Sequence, residues 1–141
     1  MNPNPLSFSQ NVHQELSVTV RGALMQLGVP DRILDDFDSH STISIETEGG
    51  AVINISVSDD RLFIWSPIKI SEERLIDGSA VVLPIITTPM RDIETGHLTL
   101  GRCNDGFELK GLVNVEALAG DRLHEVINDF YGALRVIAGC A

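Results

Sequence analysis

Between residues 42 and 65 the chain alternates apolar and polar residues in short runs, and no other stretch narrows the possible folds as far. Ile43 and Ile45 are interleaved with Thr42, Ser44 and Glu46, and Gly49-Gly50 comes next, a pair able to take the positive φ angles of a hairpin turn. Ala51, Ile53, Ile55 and Val57 then alternate with Val52, Asn54, Ser56 and Ser58 before a second turn signal at Asp59-Asp60. A period of two sends successive side chains to opposite faces, so the reading is an antiparallel meander. The third run differs. Leu62 and Ile64 fall on one face, while Phe63 and Trp65 fall on the other. A strand apolar on both faces needs cover on both. A helix, a second subunit or a bound peptide could supply it, which makes Phe63 and Trp65 contact candidates. Val52, at the same parity in the preceding strand, shares that standing.

Helical patterns flank the meander. Phe8, Val12, Leu16, Val20, Leu24 and Leu27 recur at steps of four and three and form one helical face. Ser7 with Gln10 fits a capping box, and Gly28 with Pro30 beyond it fits a stop. Val18, Thr19, Val20 and Gly22 weaken intrinsic propensity, so this helix depends on packing. Residues 1–6, rich in Pro and Asn, read as a mobile lead-in. After the meander, Ser71-Glu72-Glu73 is a good helix start with acids against the dipole, but Gly78, Pro84 and Pro89 interrupt the segment 71–90, which predicts a short or kinked helix. Its residues Leu75, Ile76, Val81, Val82, Leu83, Ile85 and Ile86 are apolar nearly all round, more than one buried face requires.

A second hairpin is expected from Leu98 and Leu100, a turn at Asn104-Asp105-Gly106, then Phe107 and Leu109, with Leu112, Val113 and Val115 continuing. Asp121 is placed to cap a last helix whose Leu123, Ile127, Phe130, Leu134 and Ile137 keep helical spacing to Gly139. At 141 residues the pattern fits one domain over residues 1–141, with enough buried surface to need no metal or disulfide.

The residues offer no catalytic constellation. Asp38, Ser39 and His40 are the residue types of a hydrolase triad, but as chain neighbours they diverge, and no G-x-S-x-G elbow supports a nucleophilic serine. The acids Asp31, Asp35, Asp36 and Asp38 lack the calcium-loop spacing and its closing Glu. Glu94, His97 and Cys103 make a weak metal set without a second ligand pair, His124-Glu125 lacks the partner of a zinc helix, and His13 stands alone. No Gly-rich loop opens a helix to cradle a phosphate. No catalytic residue, metal or cofactor is expected. Ten scattered cations against twenty acids, net charge −10, weigh against nucleic acid and anionic membranes. Cys103 and Cys140 form no CxxC pair and read as ordinary thiols of a reducing compartment. No run is long enough to span a bilayer and the start lacks an export signal, so a cytoplasmic protein without membrane insertion is expected.

A binding role remains, and a resemblance gives it content. Three groups of segments occur in order. The first is Leu27-Gly28 through Ile33-Leu34 to Asp38-Ser39-His40-Ser41-Thr42-Ile43. The second is Ile53-Asn54-Ile55-Ser56-Val57 with Ile64-Trp65. The third joins Leu98-Thr99-Leu100-Gly101, Leu109-Lys110-Gly111-Leu112-Val113 and Phe130-Tyr131. Together, from about residue 11 to 139, they resemble the InvB/SpaK family of class IB type III secretion chaperones. The resemblance implies an α+β fold: a twisted antiparallel sheet flanked by N-terminal, middle and C-terminal helices, in a homodimer built largely on the middle helix. It also implies a bacterial cytoplasmic protein without enzymatic activity. Such a protein binds the N-terminal region of one or more effectors as an extended chain and presents it to the secretion apparatus and its ATPase. On that reading Val52, Phe63 and Trp65 contact the effector, and Val81, Val82, Ile85 and Ile86, the densest apolar cluster in the middle segment, form the dimer interface. Gly78 and Pro84 depart from the family's more regular dimer helix. Two chains at −10 each carry −20, which resists self-association and can steer basic segments. The competing readings are a regulatory adaptor of the same fold with a non-effector partner, and a small-ligand-binding or enzymatic α+β domain.

Overall fold

The computed structural model describes residues 18, 21–26, 28, 42–58, 61–114 and 122–141. Five strands form one antiparallel sheet: β1 (Thr42–Glu46), β2 (Val52–Ser58), β3 (Arg61–Ile68), β4 (Thr99–Cys103) and β5 (Gly106–Val113), in spatial order β1-β2-β3-β5-β4. Helices α1 (Glu72–Asp77) and α2 (Ser79–Thr87) fall between β3 and β4, and α3 (Leu123–Ala138) comes after the sheet, giving an α+β fold. The meander is present with the expected parity. Ile43 lies opposite Ile55, and Ile55 opposite Ile64. Its first turn uses Gly50, at φ 86°, while Gly50 N donates to Thr47 O and Thr47 N to Ala51 O, a tight turn with one left-handed residue. The hairpin expected from Leu98 is also present. Its strand begins one residue later, and its turn closes at Gly106, where a Cβ would come within 2.6 Å of Ile68 O.

The sheet's first face is the core. Ile53, Ile55, Val57, Leu62, Ile64, Ile68, Phe107, Leu109 and Val113 are buried there with Leu123, Val126, Ile127, Phe130, Leu134 and Ile137 of α3. The stripe read from the sequence is therefore the stripe that α3 buries, with Val126 added. α3 packs on β3 and on α2. Ala23 and Leu24, in helical residues 21–26, enter the same cluster, and Gly28 at φ 91° donates its N–H to Met25 O as that segment stops. Gly111 sits opposite Ile64 in mid-sheet, where a Cβ would meet Leu98 Cδ2 at 2.8 Å and Ile93 Cδ1 at 3.1 Å. The missing side chain lets the loop before β4 seat both residues on the core face.

The middle segment differs from expectation in where it breaks. Two abutting helices meet at Gly78, and Pro84 lies inside the nine-residue α2. α2 nevertheless continues to Thr87, its last turn closed by Thr88 N donating to Pro84 O at 3.1 Å, while Thr87 Oγ1 donates to Leu83 O and Thr88 Oγ1 to Pro84 O. Ser71 caps α1 as expected, accepting from Arg74 N at 3.2 Å. α3 starts after Arg122 without a side-chain cap. The proposed caps Ser7 and Asp121, the first-helix residues Phe8, Val12, Leu16, Val20 and Leu27, the lead-in, the Asp59-Asp60 turn, Val115, His13 and the stretch Asp31 to His40 lie outside the described residues.

Candidate functional site: the second face of the sheet

Parity sends the alternate residues of every strand to the face opposite the core. Across that face run the rows Thr42–Ser56–Phe63–Leu112 and Ser44–Asn54–Trp65–Lys110–Thr99, each set by pairing register. Val52, Phe63, Trp65 and Leu112 are half-buried on it, which is a large apolar content for a face outside the main core. Asn54 is buried, and Ser44 Oγ donates to its Oδ1 at 2.6 Å. The aromatic rings are held in place. Trp65 Nε1 donates to Ser56 Oγ at 3.0 Å, and Ser56 Oγ also bonds Thr42 Oγ1 at 2.8 Å. Lys110 Nζ lies 4.7 Å from the centre of the Phe63 ring, within cation–π range.

These side chains border an open pocket of about 340 Å³ lined by Ser56, Ser58, Phe63, Trp65, Glu108 and Lys110. Hydroxyls, two aromatic rings and one charge of each sign suit a surface that grips a side chain of a partner. The sequence pointed to Phe63 and Trp65 and to Val52 beside them. It gave no comparable signal for Glu108 and Lys110 as site residues. Placing them beside Trp65 requires the β3–β5 register, with Trp65 opposite Lys110 and Pro67 opposite Glu108.

The residues read for a subunit interface divide. Val82 is 3% exposed and belongs to the core cluster, so it anchors α2 rather than facing outward. Ile85 and Ile86 are half-buried against the same cluster. Val81 is 46% exposed, and its exposed apolar company in α1 and α2 is Leu83 at 53% and Ile76 at 62%. Among the described residues no group of three His, Cys, Asp or Glu could hold a metal ion. Among them, too, no helix is long and apolar enough to cross a membrane.

Comparison with known proteins converges on one family. The Invasion protein B family model matches residues 28–104. The surface presentation of antigens proteins SpaK of Salmonella typhimurium and of Salmonella typhi are each 30% identical over 128 residues, spanning 89% of this chain and 95% of the relative.

Proposed function

From the premise that this chain belongs to the Invasion protein B family, we propose that it is a cytoplasmic type III secretion chaperone. It binds the N-terminal segment of one or more effectors, keeps that segment non-globular and presents it to the secretion apparatus. It acts by binding, without enzymatic activity or a cofactor.

The observation that carries the reading is the second sheet face, where Val52, Phe63, Trp65 and Leu112 form half-buried apolar ground beside an open pocket. A small-molecule site encloses most of its ligand in a concave, largely apolar cleft with a few convergent polar groups, whereas the pocket here is open. A surface that must accept an extended chain does better with shallow apolar ground, flanked by strand edges that offer backbone hydrogen bonds. Among the described residues the sheet ends at β1 on one side and β4 on the other. The working unit is a homodimer through α1 and α2, with Val81, Leu83 and Ile76 as its outward apolar contacts and Ile85 and Ile86 behind them. Val82 serves that interface only by fixing α2 to the core.

Co-expression with effector N-terminal segments, followed by size-exclusion chromatography with light scattering, tests the reading. Two copies of this chain with one effector segment are expected. The segment should be lost when Trp65→Asp or Phe63→Asp is introduced into a protein that still folds. A chain that stays monomeric and retains no effector segment would overturn the proposal and favour the regulatory adaptor.

A further inference from the structure

We propose that the pocket beside Trp65 takes a basic side chain of the bound segment, arginine in preference to lysine. The proposed function supplies the identity of the segment, whereas the residue type comes from the pocket itself.

Three features specify the guest. The Trp65 indole is a fixed platform, because its N–H is committed to Ser56 and Ser56 in turn to Thr42. A pre-set aromatic surface binds a flat cation without an ordering cost. Glu108 supplies a carboxylate in the same pocket and has no ion-pair partner among the described residues. The third feature is access. Gly101 of the edge strand β4 lies directly opposite Glu108, and a Cβ built there meets nothing within 4 Å. The Glu108 end of the pocket is thus open to a side chain entering from the sheet edge.

Lys110 decides the sign of the guest. Its ammonium sits over Phe63, so that ring already holds a cation, while Trp65 and Glu108 remain for a second one. An anionic guest would have to draw Lys110 off the ring and approach a chain of net charge −10. A cationic guest meets a carboxylate that no described residue engages. Arginine fits better than lysine because its planar guanidinium stacks on the indole while donating two parallel hydrogen bonds to Glu108.

Trp65 is the one tryptophan of the chain, so its emission reports on this pocket. The probe is a blocked five-residue peptide of threonine and valine around a central arginine, compared with versions carrying lysine, citrulline, norleucine or glutamate at the centre, the lysine version being expected to bind more weakly than the arginine one. The arginine peptide should change the emission saturably. Affinity should fall about tenfold with citrulline or in Glu108→Gln, and comparably in Gly101→Val, but stay unchanged in Glu94→Gln. Equal binding of the norleucine or glutamate peptide, indifference to Glu108→Gln, or no response to the arginine peptide at millimolar concentration would each overturn the inference. Effector segments that bind wild type and Glu108→Gln alike would leave the chaperone reading standing and remove this one. Arginine recognition by a protein that captures no effector segment would do the reverse.

Discussion

Gly78→Ala should destabilise this protein, although its backbone there would ordinarily welcome the change. Gly78 joins α1 to α2 at φ −89°, ψ 10°, a conformation open to residues with a side chain. At such a position Gly→Ala stabilises by about 0.4–1 kcal/mol through the unfolded chain. The obstacle is tertiary. A Cβ on Gly78 would lie 2.8 Å from Cys140 Sγ and 3.0 Å from Cys140 Cβ, with Arg74 O at 3.3 Å. Comfortable contact between such atoms is about 3.5–4 Å. The tail cannot swing aside freely, because Gly139 N, Cys140 N and Ala141 N donate to Arg135 O, Ile137 O and Ala138 O. Overpacking of this kind costs about 1–3 kcal/mol, so after the backbone gain about 1–2 kcal/mol of destabilisation remains. For a chain of this size that lowers Tm by about 3–8 °C. Cys140→Gly removes both sulfur and Cβ and leaves only Arg74 O close. In that background Gly78→Ala should be neutral or mildly stabilising. Urea unfolding of the four proteins at one fixed protein concentration measures the coupling, expected to recover the overpacking cost of about 1–3 kcal/mol. If the two changes add within about 0.5 kcal/mol, the steric argument is wrong.

Adjacent positions in α2 should behave oppositely. Val82→Asp, in the core, should prevent stable folding, whereas Val81→Asp with Leu83→Asp, both exposed, should leave the fold intact and weaken self-association by light scattering. Asp92 holds a left-handed conformation at φ 67°, and its carboxylate accepts from Arg122 Nη2 at 2.9 Å. Both Asp92→Asn and Asp92→Val remove that charge pair, but valine also strains the backbone. The valine variant should therefore be the less stable by about 1–2 kcal/mol in urea, and equal losses would refute a role for the backbone. Phe130→Ala empties a fully buried position in α3 and should cost about 3–5 kcal/mol by the same assay; a loss under about 1 kcal/mol would mean that the α3–sheet interface is not the core described.

Local pattern determined much of this protein. The two-residue period from Thr42 to Trp65 was enough for three strands and their faces, because alternation is a property of neighbouring residues and needs no knowledge of distant chain. The stripe from Leu123 to Ile137 likewise named the buried side of α3, and the apolar residues on both faces of β3 marked Phe63 and Trp65. Tertiary structure decided what those residues touch. Which strand lies beside β3 depends on a pairing between segments about forty residues apart, so the sequence could not bring Lys110 to Phe63 or Glu108 to the same pocket. The middle helix obeyed the same logic. Its composition was apolar nearly all round, and only docking against α3 assigned Val82 inward and Val81 and Leu83 outward. Propensity marked Gly78 and Pro84 equally as interruptions. Packing separated them: Pro84 continues in α2, whereas the chain breaks at Gly78, where Cys140 occupies the space a side chain would need.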